Sequence, residues 1–489
     1  MPRSDGRPVL AIGLDAAQGP FVREMIDRGE LPALAGLLEH GSWSRVKSTA
    51  DIGSATVWPT FASGSMPWRD GYQLEWWWSP DEMRLVKGRG AGYVPFWRDL
   101  DRSGLAAGVV DMPYLDPAPL AHGFELSEWG SHERATGHIG SWPPELAERV
   151  LRDVGEHPYA NEPPQDPDGM PTGLLTRIVE GSLRGIRMRG ELGRRLLRED
   201  DPDMLLLVFN ELHHVGHILW HTAEPDSPVY AGKTPPEVRP TLPELYREVD
   251  AQISALAAAA DGEPRFVVFS LHGMQPGYGI PAFLEEVLEH ERIGRRADWR
   301  SGPASQRWRS AFGTLKRRAP RPARRLYNRF AAPGMTRALA APTLVPPWDW
   351  PRTRAFTLYS DQHAWLRVNL RGRERDGTVA RSDYESTCRE LEDLLGALTD
   401  EAGNKLIEKV IRVYERAAGP PAHLPDLVAH WTSAAYADPL RVAGMPIESS
   451  PKSRRLMGRH DLDGFCISAG NGPVADEIAA AELHRLLRP

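Results

Sequence analysis

Residues 203–221 read D-M-L-L-L-V-F-N-E-L-H-H-V-G-H-I-L-W-H, from Asp203 to His221. The apolar run Met204 to Phe209 has the length of a strand and no polar alternation, so it predicts a strand covered on both faces, as in a parallel sheet. Polar residues then take over, and His213, His217 and His221 recur every fourth position. A helix starting near Asn210 or Glu211 carries them on nearly one face, drifting by about 40° per step. A core strand running into a helix with convergent imidazoles is how a metal site is mounted at the carboxyl edge of a sheet. The ordinary alternative is a histidine-rich helix face open to water.

Outward from that stretch, buried strands alternate with helices. Val9 to Leu14 is a first strand, and Asp15 stands where it stops, either facing the ligand crevice or capping the next helix. Phe21 to His40 has helical periodicity, with Gly41 as its C-cap. Ser54 follows Gly53 and opens an amphipathic turn. A serine there is an ordinary helix cap, or a hydroxyl whose oxyanion the backbone N–H groups stabilise. Further strands are expected at 105–110, 266–270, 364–370, 427–431 and 465–468, and helices at 144–154, 174–197, 246–260, 285–293 and 384–398. His272 falls at a strand end as Asp15 does, and His460 in a loop before a strand. This alternation indicates an α/β fold with a doubly wound, mostly parallel central sheet and helices on both faces. The order breaks from about 273 to 349, a Pro-punctuated basic segment that includes Lys316, Arg317, Arg318, Arg321, Arg324, Arg325 and Arg329. The expected organisation is one catalytic domain, 1–272 with 350–489, interrupted by a cap or lid at 273–349.

The 489 residues suffice for a large core, and the net charge of −7 argues against a dedicated nucleic-acid partner. Two cysteines, Cys388 and Cys466, make no disulfide framework. No membrane span of about 18 apolar residues occurs, and no signal-peptide pattern precedes the first strand, so the expected location is cytoplasmic. The 16 tryptophans include the run Trp76-Trp77-Trp78, suited to packing or to lining a cleft.

Five segments together resemble the alkaline phosphatase superfamily, in its type I phosphodiesterase/nucleotide pyrophosphatase branch. They are V-L-A-I-G-L-D-A at 9–16, S-x-x-x-W-x-T-x-A-S-G at 54–64, the histidine stretch, F-S-L-H-G-M at 269–274 and G-R-H-x-x-x-G at 458–464. Y-R-E-V-D-A-Q-I at 246–253, V-N-L-R-G-R-E-R-D-G-T-V at 368–379 and L-P-D-L-V at 424–428 add lesser matches. The resemblance implies a phosphate-binding pair of zinc ions faced by a Ser or Thr nucleophile. By motif position Ser54 would be the nucleophile, with Asp15, His213, His217, His272 and His460 as metal ligands. Thr56, Asp70, His221 and His363 would contact substrate.

Three positions depart from the pattern. Leu271 replaces an Asp before His272, His213 replaces the Asp of the D-x-x-x-H pair, and Asp70 replaces a His in P-W-R-D-G. Of three family carboxylates only Asp15 remains, too little to balance two divalent ions. The expectation is therefore one firmly bound zinc on His213, His217 and His460, and a second that is weak or absent. Glu211, Asp70, Asp361, Asp461 and Asp463 are open as replacement carboxylates. The implied activity is metal-dependent hydrolysis of a small-molecule phosphate ester, above all a diester, through Ser54. Hydrolysis or group transfer on another ester (sulfate or glycan-linked) and non-catalytic binding of a phosphorylated ligand remain the alternatives.

Overall fold

The computed structural model describes residues 7–70, 76–87, 92–131, 139–161, 172–260, 262–297, 348–358, 360, 363–472 and 474–489. The basic run at 316–329 and Asp361 lie outside them. The chain forms two compact units: Met1–Tyr72, Arg89–Ile280 and Lys452–Pro489 make the first, and Gln73–Gly88 with Pro281–Pro451 the second.

The first unit is built on a nine-stranded mixed sheet. Across it run Glu477–Ala479, Gly41–Lys47, Asp463–Ala469, Arg265–Ser270, Val9–Leu14, Met204–Phe209, Ala107–Val110, Phe124–Ser127 and Gly140–Trp142. The middle five, from Arg265–Ser270 to Phe124–Ser127, are parallel, and the pairings of Asp463–Ala469 and Gly140–Trp142 are antiparallel. All six side chains of Met204–Phe209 are buried, each apolar one contributing about 1.5–3 kcal/mol.

Alternation along the first strand splits the core in two. Leu10, Ile12 and Leu14 pack with the long helix Thr172–Asp200 and the helix Leu242–Ala259. Val9 and Ala11 pack on the other face with Trp58, Phe61, Trp97 and Leu483. Helices therefore cover both faces, as an α/β sheet with parallel central strands requires.

The second unit carries a four-stranded antiparallel sheet in the order Ala355–Leu358, Ala364–Val368, Leu427–Trp431, Ile407–Arg412, with the helix Tyr384–Ala397 packed on it. A hairpin of Trp76–Ser79 with Arg84–Lys87 belongs to the same unit. Its interior is ionic. The Asp426 carboxylate takes Arg373 and the Tyr384 hydroxyl, and Glu374 takes Arg367, Arg373 and the Trp78 indole N–H. The matches at 368–379 and 424–428 are thus the two halves of one buried ion cluster.

Several expectations are corrected. The compact units divide the chain otherwise than 1–272 with 350–489: the strands Ala364–Val368 and Leu427–Trp431, expected within that interrupted domain, form a separate antiparallel sheet in the second unit. The helix expected over 21–40 is two, Gly19–Asp27 and Pro32–Glu39, broken where Gly29 takes φ 72°. Gly41 opens a strand rather than capping a helix. His460 lies within a strand, Gly458–Asp461, paired antiparallel with Gly273–Pro276. Among the described residues no helix is long and apolar enough to cross a membrane.

Candidate metal centre

Four strands and one helix bring the chemistry together, three of the strands ending at the carboxyl edge of the main sheet. Val9–Leu14 ends in Asp15, Met204–Phe209 runs into the helix Glu211–Leu219, Arg265–Ser270 ends just before His272, and Gly458–Asp461 supplies His460. Asp15 is nearly fully buried. One carboxylate oxygen accepts the Trp58 indole N–H at 2.8 Å, and the other lies 2.6 Å from His213 Nδ1. Burial pushes the Asp15 pKa up, but the His213 charge and hydrogen bond outweigh it and hold it below the usual range. An ionised carboxylate only accepts, so His213 donates to it from Nδ1, and its Nε2 is turned toward His460. This carboxylate–imidazole pair is the arrangement that orients a ligating histidine. Gly13 makes it possible: a Cβ there would stand 2.7 Å from the Trp58 ring.

His213 Nε2 faces His460 Nε2 at 2.8 Å, so the two nitrogens meet over one point. His272 completes the group, the ligand atoms of His213, His272 and His460 all lying within 4.8 Å of one another. Both ring nitrogens of His272 are buried with no hydrogen-bond partner among the described residues, a costly state for a polar group unless something else binds it. Burial depresses its pKa to about 4, leaving the neutral form a metal takes. Nitrogens around a tetrahedral zinc at about 2.0 Å stand roughly 3.3 Å apart. The group fits such an ion after small ring movements.

His217 was expected beside His213 and His460, with His272 as a further ligand; the ligand atoms of His213, His272 and His460 lie together, and His217 stands next to them. His217 donates from Nδ1 to the Gly458 carbonyl at 3.0 Å, with its ring 4.7 Å from that of His460. Burial lowers its pKa to about 3, and it remains at the margin of the group as a neutral imidazole.

Ser54 is buried at the head of the turn Ser54–Thr56, which continues into the helix Val57–Ser63. Four residues on from Ser54, Trp58 holds Asp15, so one segment bears both the candidate nucleophile and the anchor of His213. Thr56, expected at the substrate, is fully buried, and its hydroxyl is committed to Gly53 O at 2.7 Å and to Thr49 O and Oγ1, both at 2.9 Å. It pins the turn. His221 lies past the end of its helix, in the turn Trp220–Thr222, and donates from Nε2 to the Pro236 carbonyl at 3.0 Å. His363 belongs to the second unit, stacked on His430 with ring centroids 3.7 Å apart. Asp70 ends the short helix Pro67–Asp70, and its side chain lies outside the described residues.

Leu271 is fully buried in the apolar core. Of the replacement carboxylates, the three whose side chains are described have other partners: Glu211 has Arg189 and His157, Asp461 has Gln18 and the Asp463 N–H, and Asp463 has Arg45. The sequence reading missed Trp58 as the donor to Asp15, although Trp58 stood in the quoted S-x-x-x-W motif.

The family profile described as type I phosphodiesterase / nucleotide pyrophosphatase matches residues 9–432. No curated protein matches the chain. Among solved structures, it is similar to phosphonoacetate hydrolase from Sinorhizobium meliloti 1021 in complex with phosphonoacetate, at 13% identity and TM-score 0.54 over 99% of this chain and 95% of that one. It is also similar to murine ectonucleotide pyrophosphatase/phosphodiesterase 5 in complex with AMP, at 12% identity and TM-score 0.45 over 98% and 94%. The first likeness supports the fold, and the match across nearly the whole sequence supports more: this chain belongs to the type I phosphodiesterase/nucleotide pyrophosphatase family.

Proposed function

We propose that the protein is a metal-dependent phosphate-ester hydrolase that favours diesters and uses Ser54 as its nucleophile. The observation that carries this reading is the convergence of His213, His272 and His460 on one point, with the His272 nitrogens buried and without hydrogen-bond partners among the described residues. A zinc ion held there would supply Lewis-acid stabilisation of charge on the phosphoryl oxygens. The chain's own residues do the rest. Asp15 fixes the His213 tautomer and is fixed in turn by Trp58. The Ser54 oxygen attacks phosphorus, the ester oxygen leaves, and water then cleaves the seryl phosphate to regenerate the hydroxyl. With Asp15 as the carboxylate of the centre and Leu271 apolar, one bound ion is the charge the site balances. A monoanionic diester then suits it better than a dianionic monoester.

Elemental analysis of protein purified without added metal should find about one equivalent, lost in His272→Ala and His460→Ala. The same preparation is then offered aryl phosphate diesters and monoesters, aryl sulfates and phosphonoacetate. Diester turnover abolished by chelation supports the proposal. Turnover of sulfate alone points to a site rebuilt for another ester, and bound metal without any turnover points to a binding protein. Full metal content in both histidine variants would overturn the assignment of the centre.

A further inference from the structure

Beneath the histidine helix lies an ionic cluster that the proposed chemistry does not use. Arg189, on the long helix Thr172–Asp200, is completely buried. Its Nε donates to both carboxylate oxygens of Glu211 at 3.0 and 3.2 Å, Nη1 to Asp111 at 2.7 Å, and Nη2 to the Gly130 carbonyl at 2.8 Å. His157 Nε2 lies 2.9 Å from Glu211. Asp111 also accepts the backbone N–H groups of Trp129 and Gly130, and its carbonyl receives the Asn210 side chain at 2.9 Å.

The sequence makes room for this cluster. Gly181, Gly185, Arg189 and Gly193 follow one another every four residues, so one stripe of the long helix is bare except for the guanidinium. A Cβ on Gly185 would stand 2.3 Å from His157, and one on Gly130 2.3 Å from Arg189. Asp111 holds φ 54°, in the left-handed region that few non-glycine residues adopt and Asp tolerates better than most. Removing a guanidinium, two carboxylates and an imidazole from water is costly, and an apolar cluster of equal volume is often at least as stable. Stability alone therefore does not account for the arrangement.

What the cluster grips is the first turn of the histidine helix. Asn210 and Glu211 are the residues at its start, and both are held from the same side. His214 lies on that side too, packed on Tyr159, whereas His213 projects toward Asp15 and His460. We propose that Arg189 is a positioning residue: by locking Glu211 and Asp111 together it sets the start and rotation of the histidine helix, and with them the direction of His213. The inference rests on the metal reading of the centre.

The test uses cobalt(II), whose visible absorption reports ligand geometry, added to the metal-stripped full-length protein. Wild type should bind it with a four-coordinate spectrum; no binding would overturn the metal reading and this inference together. Arg189→Lys keeps the charge but cannot span the partners, and should weaken cobalt affinity about tenfold and alter the spectrum. Glu211→Gln, isosteric and milder, should move both readouts in the same direction and decides the matter if Arg189→Lys does not fold. Leu100→Ala, in the core on the other face of the sheet, should lower the melting temperature yet keep affinity and spectrum. Folded Arg189→Lys and Glu211→Gln with wild-type affinity and spectrum would overturn the inference alone. So would an equal loss in Leu100→Ala.

Discussion

Two hydroxyls two residues apart sit at different places in one turn. The Thr56 oxygen is bound to Gly53 and Thr49 in the interior, and Ser54, also buried, stands at the head of the turn. Ser54→Ala should therefore abolish diester turnover while metal content and melting temperature stay near wild type, because a serine at a helix start contributes only about 1 kcal/mol as a cap. A wild-type rate in Ser54→Ala would reject the nucleophile. At this scale the sequence was legible where motif and strand end coincided. Asp15 and His272 were placed by the ends of apolar runs, His213 by its spacing from a core strand. Side-chain direction was not legible: His217 turns its Nδ1 to the Gly458 carbonyl and the Thr56 hydroxyl turns to Gly53 and Thr49, and no spacing encodes that.

Among elements, apolar runs and helical periods predicted well, and edges predicted poorly. Met204–Phe209 and Leu427–Trp431 lie where the sequence put them, the first as six apolar residues in a row and the second as a short run broken only by His430. Gly41–Lys47 was invisible because it is half polar and more exposed, and its existence depends on pairing with Asp463–Ala469, more than 400 residues on. The strand carrying His460 is set by a distant partner too, Gly273–Pro276. The first strand holds a feature whose consequence is testable. Gly13→Ala drives a methyl to 2.7 Å from the Trp58 ring and 3.1 Å from Val208. Such overpacking costs about 1–3 kcal/mol, and because Trp58 holds Asp15 the relief should come partly from that hydrogen bond. The variant should melt lower and lose metal affinity as well, measured by thermal unfolding and metal titration. A variant that loses stability alone would show that Trp58 is packing and no more.

For the whole molecule, the division into two units was missed although the strands of the two differ in pattern. Those of the second unit carry polar residues such as Arg367, Lys409 and His430 where the central strands of the first are continuous apolar runs, the patterning that separates antiparallel from parallel sheets. The motifs at 368–379 and 424–428 build the ionic interior of that second unit, which gives it a pH dependence of its own. Burial pushes the Asp426 pKa up, but Arg373, Arg367 and the Tyr384 hydroxyl outweigh burial and hold it below its unfolded value. An acid depressed on folding contributes stability that is full above the unfolded value of about 3.9 and is lost as the pH falls toward the folded value. The stability gap between wild type and Asp426→Asn should therefore narrow below about pH 4; a constant gap in acid titrations followed by fluorescence would contradict the assignment. In the first unit the question is how much positive charge the molecule can hold. Leu271 sits fully buried where the family pattern has a metal-binding carboxylate. Leu271→Asp should restore that charge, raise bound metal from about one equivalent toward two, and shift the rate ratio from diesters toward monoesters. Stripped of metal, the same variant should melt well below wild type, since an unpaired carboxylate is then left in an apolar core. Stoichiometry, rate ratio and melting temperature, measured side by side with and without zinc, separate the outcomes. Two tightly held ions in wild type, or a folded variant that gains its second ion while the ratio stays fixed, would show that the lost carboxylate does not set the substrate's charge.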